Sequence, residues 1–278
     1  VNISDYQIVY FLGATSYDIE DNADTIRFKE SLELIEDNLK KLLESFAKKI
    51  KEYKDLLCMA YTHLQPAEPT TLGYRFATYA QDILMDLKLL DFVKINLKGK
   101  GMKGAVGTSA SFVALTDENK AMEMEKQIMD SLGIEAVGIA TQIAPRKIEY
   151  FISSFLTSVA QTLNKFAFDV RIMQAPGFSE WQEPFSEKQV GSSAMPFKKN
   201  PWKSEQICSL ARVIINLGNI SKENASNMLL ERTLDDSANR RVYLPEIFLA
   251  TDEMLTSTIN IVEGLIINKK NIEKNLTT

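Results

Sequence analysis

The chain has 278 residues, of which 45% are hydrophobic and 25% charged, an ordinary globular composition that excludes a disordered or fibrous protein. Its 32 Lys and Arg residues against 37 Asp and Glu residues give a net charge of -5, so no basic surplus points to a nucleic acid or an anionic membrane as partner. No apolar run of about 18 residues is present to span a bilayer. The chain has two cysteines, Cys58 and Cys208, and one histidine, His63. These counts predict a reducing compartment, which we take to be the cytoplasm, and exclude a His-rich metal site. We expect no metal and no other cofactor.

Apolar residues recur every three or four positions along most of the chain, and this spacing predicts long amphipathic helices. In chain order, the predicted helices cover about 26–50, 72–97, 117–132, 146–173, 202–217 and 242–262. The helix over 146–173 would be about 42 Å long at 1.5 Å per residue, a length typical of helical bundles. The sequence therefore predicts an all-α fold built as a long-helix bundle.

Local signals refine the helix boundaries. Thr116 is the expected N-cap of the helix that begins at Asp117. Asn200 is the expected N-cap of the next but one helix, with Pro201 at its first helical position. The only strand signals are weak ones around 102–106 and 139–143.

Three segments break the helical pattern, and we expect the chemistry to lie in or near them: 61–71, 99–111 and 175–200. His63 is in the first, where an imidazole can act as acid or base near neutral pH, or can be a surface or capping group. The glycine-rich stretch 99–107 can bring backbone donors close to a ligand, but it lacks the ending of a Walker motif.

Two basic segments offer anion sites. At the end of the long loop, 191–201 places Lys198 just before a helix N-terminus, where free N–H groups favour a carboxylate or phosphate; the alternative is a solvated Gly-Ser loop. Further along, 231–241 places three arginines and Ser237 at a helix start, which indicates a phosphate clamp or a self-neutralising helix cap.

Considered together, these segments resemble one enzyme family. Gly-Ser-Ser-Ala-Met-Pro-Phe-Lys-Lys-Asn-Pro at 191–201 is similar to the GSSxMPxKxNP signature of the fumarase/aspartase superfamily. Leu-Gly-Ala-Thr-Ser at 12–16, Thr-His-Leu-Gln-Pro-Ala-Glu-Pro-Thr-Thr at 62–71, Lys-Gly-Ala-Val-Gly-Thr at 103–108 and Glu-Arg-Thr-Leu-Asp-Asp-Ser-Ala-Asn-Arg-Arg at 231–241 resemble the adenylosuccinate lyases within it. The resemblance covers nearly the whole chain.

The resemblance implies a reaction and a set of site residues. Such lyases eliminate fumarate from adenylosuccinate and from succinyl-aminoimidazole carboxamide ribotide, by cleaving a C–N bond in purine biosynthesis. It implies that Ser192 is the base and His63 the acid, with Lys198 supplying positive charge beside them. The residues that it implies for substrate binding are Thr15, Ser16, Thr62, Gln142, Ser193, Met195, Asn200, Arg232, Ser237 and Arg241.

The resemblance also predicts the organisation of the protein. We expect 1–263 to be the central bundle domain and 264–278 the start of a shortened C-terminal helical domain, with the family's N-terminal domain absent and the chain alone inactive or slow. Self-association into a homotetramer with shared active sites is implied, as is a phosphorylated succinyl nucleotide as substrate. Two alternatives remain open: another fumarate-releasing lyase of the superfamily, and a non-catalytic helical scaffold.

Overall fold

Helices account for all the long elements of the computed structural model, which describes residues 12–185 and 198–277. They are α1 (Tyr17–Tyr53), α2 (Leu72–Asn96), α3 (Ala110–Leu115), α4 (Glu118–Leu132), α5 (Lys147–Gln174), α6 (Trp202–Ser226), α7 (Asp235–Gly264) and α8 (Lys269–Leu276). The all-α prediction is confirmed, because the apolar spacing of each long segment matches the helical period. The sequence did not predict the short helices α3 and α8.

The segment 61–71, which we predicted to be a loop, is instead part of an antiparallel hairpin of β1 (Leu57–Thr62) and β2 (Gln65–Thr71). Pro66 and Pro69 in β2 look like loop residues in the sequence. A two-stranded ribbon has only edge strands, and edge strands tolerate prolines. The weak strand signals around 102–106 and 139–143 do not correspond to strands, since neither of these described stretches forms one.

The described residues form two compact units, and the longest helices contribute to both. The first unit comprises 12–34, 90–154 and 218–245, and the second comprises 35–89, 155–185, 198–217 and 246–277. Each unit has its own core.

The core of the second unit is aromatic. The rings of Phe46 and Phe166 meet edge to face at 5.2 Å, and Phe76 lies 5.4 Å from Trp181. All four are at most 2% exposed, and burial of a side chain of this kind stabilises the fold by about 1.5–3 kcal/mol.

The first unit has a more polar interior. Lys100 and Asp18, both without side-chain exposure, form an ion pair at 2.6 Å. The backbone N–H groups of Lys103 and Gly104 also donate to the Asp18 carboxylate, at 3.1–3.2 Å. The sequence left open that backbone donors of this glycine-rich stretch approach a ligand. Those of Lys103 and Gly104 instead fix the loop to the first turn of α1.

Both predicted N-caps are displaced. Helix α4 is capped by Asp117, whose carboxylate accepts from the Lys120 N–H at 2.9 Å, whereas Thr116 belongs to the C-terminal end of α3. At the start of α6 the Pro201 carbonyl accepts the first helical bond, from the Glu205 N–H at 3.0 Å. The helix therefore begins at Trp202.

The last described residues pack within the second unit. The short strands β3 (Trp181–Gln182) and β4 (Ile266–Ile267) pair antiparallel, and Asn271 of α8 donates to the Ser179 carbonyl at 2.8 Å. The predicted domain boundary after residue 263 stays a prediction.

Two smaller observations complete the fold. Cys58 and Cys208 are both free and buried, so they form no disulfide with each other. Among residues 12–185 and 198–277, no helix is long and apolar enough to cross a membrane.

Candidate active site

His63 lies at the tip of the β1–β2 hairpin. The paired residues Thr62 and Gln65 enclose a two-residue turn of His63 and Leu64, which have φ angles of 55° and 60°. Left-handed conformations cost residues with a Cβ roughly 1–2 kcal/mol each, and such turns favour Asn and Gly. The hairpin therefore holds an exposed imidazole on a strained turn, an arrangement that is common at functional sites.

The signature segment is described only in part. Ser192, Ser193 and Met195 lie outside the described residues, so their predicted roles stay predictions. Lys198 is exposed and Asn200 half-buried, and both directly precede α6.

Two of the N–H groups that we expected to be free for a substrate anion at the start of α6 are occupied by a residue of this chain. The carboxylate of Glu183 accepts from the Ser204 N–H at 2.6 Å and from the Lys203 N–H at 3.3 Å. Glu183 is only 4% exposed. Its negative charge is stabilised by the helix N-terminus and offsets the positive potential there. The expectation of free N–H groups is therefore wrong for these two residues.

Arg232 is held in a fixed orientation in the first unit. Its Nη1 donates to Asp236 at 2.7 Å, and its Nη2 donates to the Tyr17 hydroxyl at 2.5 Å. The guanidinium carbon lies 4.3 Å from the centroid of the Tyr17 ring. Tyr17 begins α1 directly after Thr15 and Ser16, so this contact brings two of the predicted substrate-binding segments together.

The remaining members of the 231–241 segment have divided roles. Arg241 is exposed and its Nη1 donates to the Ser237 hydroxyl at 2.7 Å, so these two predicted binding residues contact each other. Arg240, in contrast, is buried against Glu149 at 2.7 Å and Asp24 at 3.1 Å. Of the three arginines of the expected phosphate clamp, Arg240 is thus committed to carboxylates of the fold.

Three further predicted ligands are linked to Arg232. Thr15 and Ser16 directly precede its partner Tyr17, and Gln142 is hydrogen-bonded to the neighbouring residue Glu231. Ser16 is exposed at the amino end of α1. The Thr15 N–H donates to Asp18 at 2.9 Å. The Gln142 N–H donates to the Glu231 carbonyl at 3.2 Å, which attaches Gln142 to the segment that carries Arg232.

Arg146 is a central residue of this region that sequence reasoning missed. Its guanidinium contacts Asp236 at 2.7 Å, Asp21 at 3.0 Å and Glu149 at 3.4 Å, and all four side chains are at most 4% exposed. Burial by itself lowers the pKa of Arg146, but the carboxylates of Glu149 and Asp21 outweigh burial and raise it above its ordinary value. In the sequence, the only signal was its position after Pro145 at a helix start.

The same network sets the ionisation of Asp236. Burial raises the pKa of Asp236, but hydrogen bonds from Arg232 and Arg146 have the larger effect and lower it below its ordinary value. Asp236 therefore stays charged and orients both guanidinium groups.

Similar proteins of known family identify the family of this chain. A family model described as "Lyase" matches residues 9–216. The chain belongs to this lyase family, within the fumarase/aspartase superfamily. Three similar relatives, each named adenylosuccinate lyase, come from Schistosoma mansoni (42% identical over 97% of this chain), Saccharomyces cerevisiae (39% over 96%) and Pyrococcus abyssi (41% over 95%). The chain covers 57%, 56% and 58% of these proteins, so it spans little more than half of their length.

Solved structures show the same fold. A fumarate lyase from Mesorhizobium sp. BNC1 has a TM-score of 0.84 at 23% identity, covering 95% of this chain and 57% of that one. The 3-carboxy-cis,cis-muconate lactonizing enzyme from Pseudomonas putida has a TM-score of 0.86 at 26% identity, covering 95% and 58%. The helical lyase fold is therefore shared by proteins with different names.

The described residues of the predicted site are divided between the two units. The second unit contains Thr62, His63, Lys198 and Asn200, and the first contains Thr15, Ser16, Gln142, Arg232, Ser237 and Arg241. Within the first unit the predicted segments are tied together by the contacts of Arg232 with Tyr17 and of Gln142 with Glu231.

Proposed function

We propose that the protein containing this chain is an adenylosuccinate lyase, which eliminates fumarate from adenylosuccinate and from succinyl-aminoimidazole carboxamide ribotide. The observation that carries this proposal is the agreement of relatives about 40% identical over at least 95% of the chain, all named adenylosuccinate lyase. The fixed guanidinium of Arg232, with the Ser237–Arg241 pair beside it in sequence, supports a phosphorylated substrate.

The proposed reaction is an elimination across a C–C bond of the succinyl group. Ser192 removes a proton from the carbon beside a carboxylate, and the negative charge is delocalised into that carboxylate. The electron pair then forms the double bond of fumarate while the C–N bond breaks. His63 gives its proton to the departing nitrogen.

Positive charge stabilises the doubly negative intermediate. The signature segment has two described cations, Lys198 and Lys199, and we assign the stabilising role to Lys198, which matches the lysine of the signature. Thr62, Gln142 and Asn200 are proposed ligands of the fumarate part. Because Glu183 already occupies N–H groups at the start of α6, we assign the stabilising charge mainly to Lys198. Ser193 and Met195 complete the proposed binding set.

We further propose that the protein is a cytoplasmic homotetramer whose active sites use residues from several copies of the chain. Its two cysteines are free and buried, which supports a reducing compartment. Light scattering on the purified protein tests the tetramer: a stable monomer with full activity would contradict it.

The activity is tested by following fumarate release from adenylosuccinate, with argininosuccinate, aspartate and malate as competing candidates. Ser192→Ala and His63→Ala are each expected to lower the rate about 10²–10⁴-fold, the effect of removing an acid or base. Ser131→Ala, on the exposed face of α4, is the control and keeps the parent rate. Fumarate from another substrate alone, or normal turnover by both variants, would overturn the assignment.

A further inference from the structure

The His63 turn is not fixed by strand pairing alone. The β1–β2 ladder is irregular between Met59 and Tyr61: Met59 pairs with Pro69 but Tyr61 pairs with Pro66. The turn residues that follow both adopt positive φ angles without being glycine. A strained turn beyond an irregular ladder keeps its geometry only if other contacts determine it.

One such contact is made by Tyr61, two residues before His63. The Tyr61 hydroxyl donates to Oε1 of Glu180 at 3.2 Å, and its ring meets Phe178 edge to face at 4.9 Å. Glu180 is fully buried. Burial, followed by the charge of Glu180, raises the pKa of Tyr61 to about 12, so the hydroxyl remains a donor.

Glu180 is in turn held by two other elements of the same unit. Asn275 of α8 donates to its Oε1 at 3.0 Å, and Arg75 of α2 faces its Oε2 at 3.6 Å. Arg75 also donates to the Met59 carbonyl at 2.5 Å, at the irregular position of the ladder. The buried carboxylate thus connects α2 and α8 to the strand that leads into the turn.

Packing does not replace these polar contacts, because a cavity of about 210 Å³ lies against the hairpin. Its lining includes Tyr61, Leu64, Arg75, Tyr79 and Phe178. Leu64 is the second residue of the strained turn, so the turn has space to relax if its anchor is lost.

We propose that Glu180 and Tyr61 are positioning residues that hold the His63 turn in its strained geometry and thereby set the position of the imidazole. This inference rests on the proposed role of His63 as the acid. Neither Glu180 nor Tyr61 needs to touch the substrate. Their effect on the reaction passes through the turn.

The first test is Tyr61→Phe in the full-length protein, which removes one hydroxyl and keeps the ring contact. With adenylosuccinate as substrate, we expect kcat to fall about 10-fold with KM changed less than twofold, since misplacement of a catalytic group by about 1 Å costs up to 10²-fold. Tyr79→Phe is the matched control: its hydroxyl donates to Asp169 at 2.6 Å and its ring lines the same cavity. It has no bond to Glu180, and we expect it to keep the parent kcat.

The second test separates positioning from general damage by a double-mutant cycle. In a His63→Ala background, Tyr61→Phe has no acid left to misplace and should lower kcat by less than twofold further. An equal loss in both backgrounds, or a parent kcat for Tyr61→Phe alone, would overturn the positioning role while leaving the lyase assignment intact. Full activity of His63→Ala alone would instead overturn the role of His63 in the proposed function.

Discussion

Substitution of Glu183 tests how the N-terminus of α6, the helix after the signature segment, is stabilised. Its buried carboxylate accepts hydrogen bonds from the N–H groups of Lys203 and Ser204, in the first turn of α6. Glu183→Ala removes the acceptor of both N–H groups. Water cannot replace it at the Ser204 N–H, because Ser204 is fully buried. We expect the helix to remain but the fold to lose stability.

The magnitude follows from the contacts that are lost. Loss of an N-cap acceptor costs about 0.5–2 kcal/mol, and a hydrogen bond to a charged group contributes about 1.5–3 kcal/mol. The two values describe partly the same interaction, so they are not added in full. We therefore expect the free energy of unfolding to fall by about 3 kcal/mol. For a chain of this size that corresponds to a fall in Tm of roughly 6 °C.

Thermal unfolding followed by circular dichroism measures this effect. Glu183→Gln keeps one acceptor oxygen and should show about half of the shift. Asp117→Ala is the matched control, since Asp117 accepts from the first turn of α4 but is exposed to solvent, and its shift should be clearly smaller. If Glu183→Ala changed Tm no more than Asp117→Ala, the capping role would be refuted.

Three further predictions concern buried groups. Arg146→Met removes the buried ion pair with Asp21 and leaves Asp236 paired with Arg232 alone, and it should cost about 3–5 kcal/mol in urea unfolding; a change below 1 kcal/mol would contradict the network. The folded-state pKa of Asp236 is lowered, so its contribution is present above its unfolded value near 3.9 and is lost as pH falls through the folded value. Asp236→Asn should therefore flatten the loss of stability as pH falls below about 4, and an unchanged slope there would count against the pairing with Arg232. Burial raises the pKa of the Cys58 thiol, so it should react with a thiol reagent only on unfolding, as a titration in increasing urea would show.

The sequence predicted the long helices well because their signal is repetitive. The predicted helix 146–173 is observed as Lys147–Gln174, and the one over 72–97 as Leu72–Asn96. Many apolar positions contribute to each such pattern, so an exception at one position does not erase it. The hairpin that carries His63 had no comparable pattern, because its second strand contains two prolines.

The sequence by itself determined the fold class, the family and the residue types of the candidate site, since helical periods and long motifs are properties of neighbouring residues. Only the tertiary structure decided which charges meet. Glu183 lies some twenty residues before the amides that it caps, and Tyr17 is far in sequence from Arg232. Pairing of such distant groups depends on how the helices pack, and a local sequence pattern does not determine that packing.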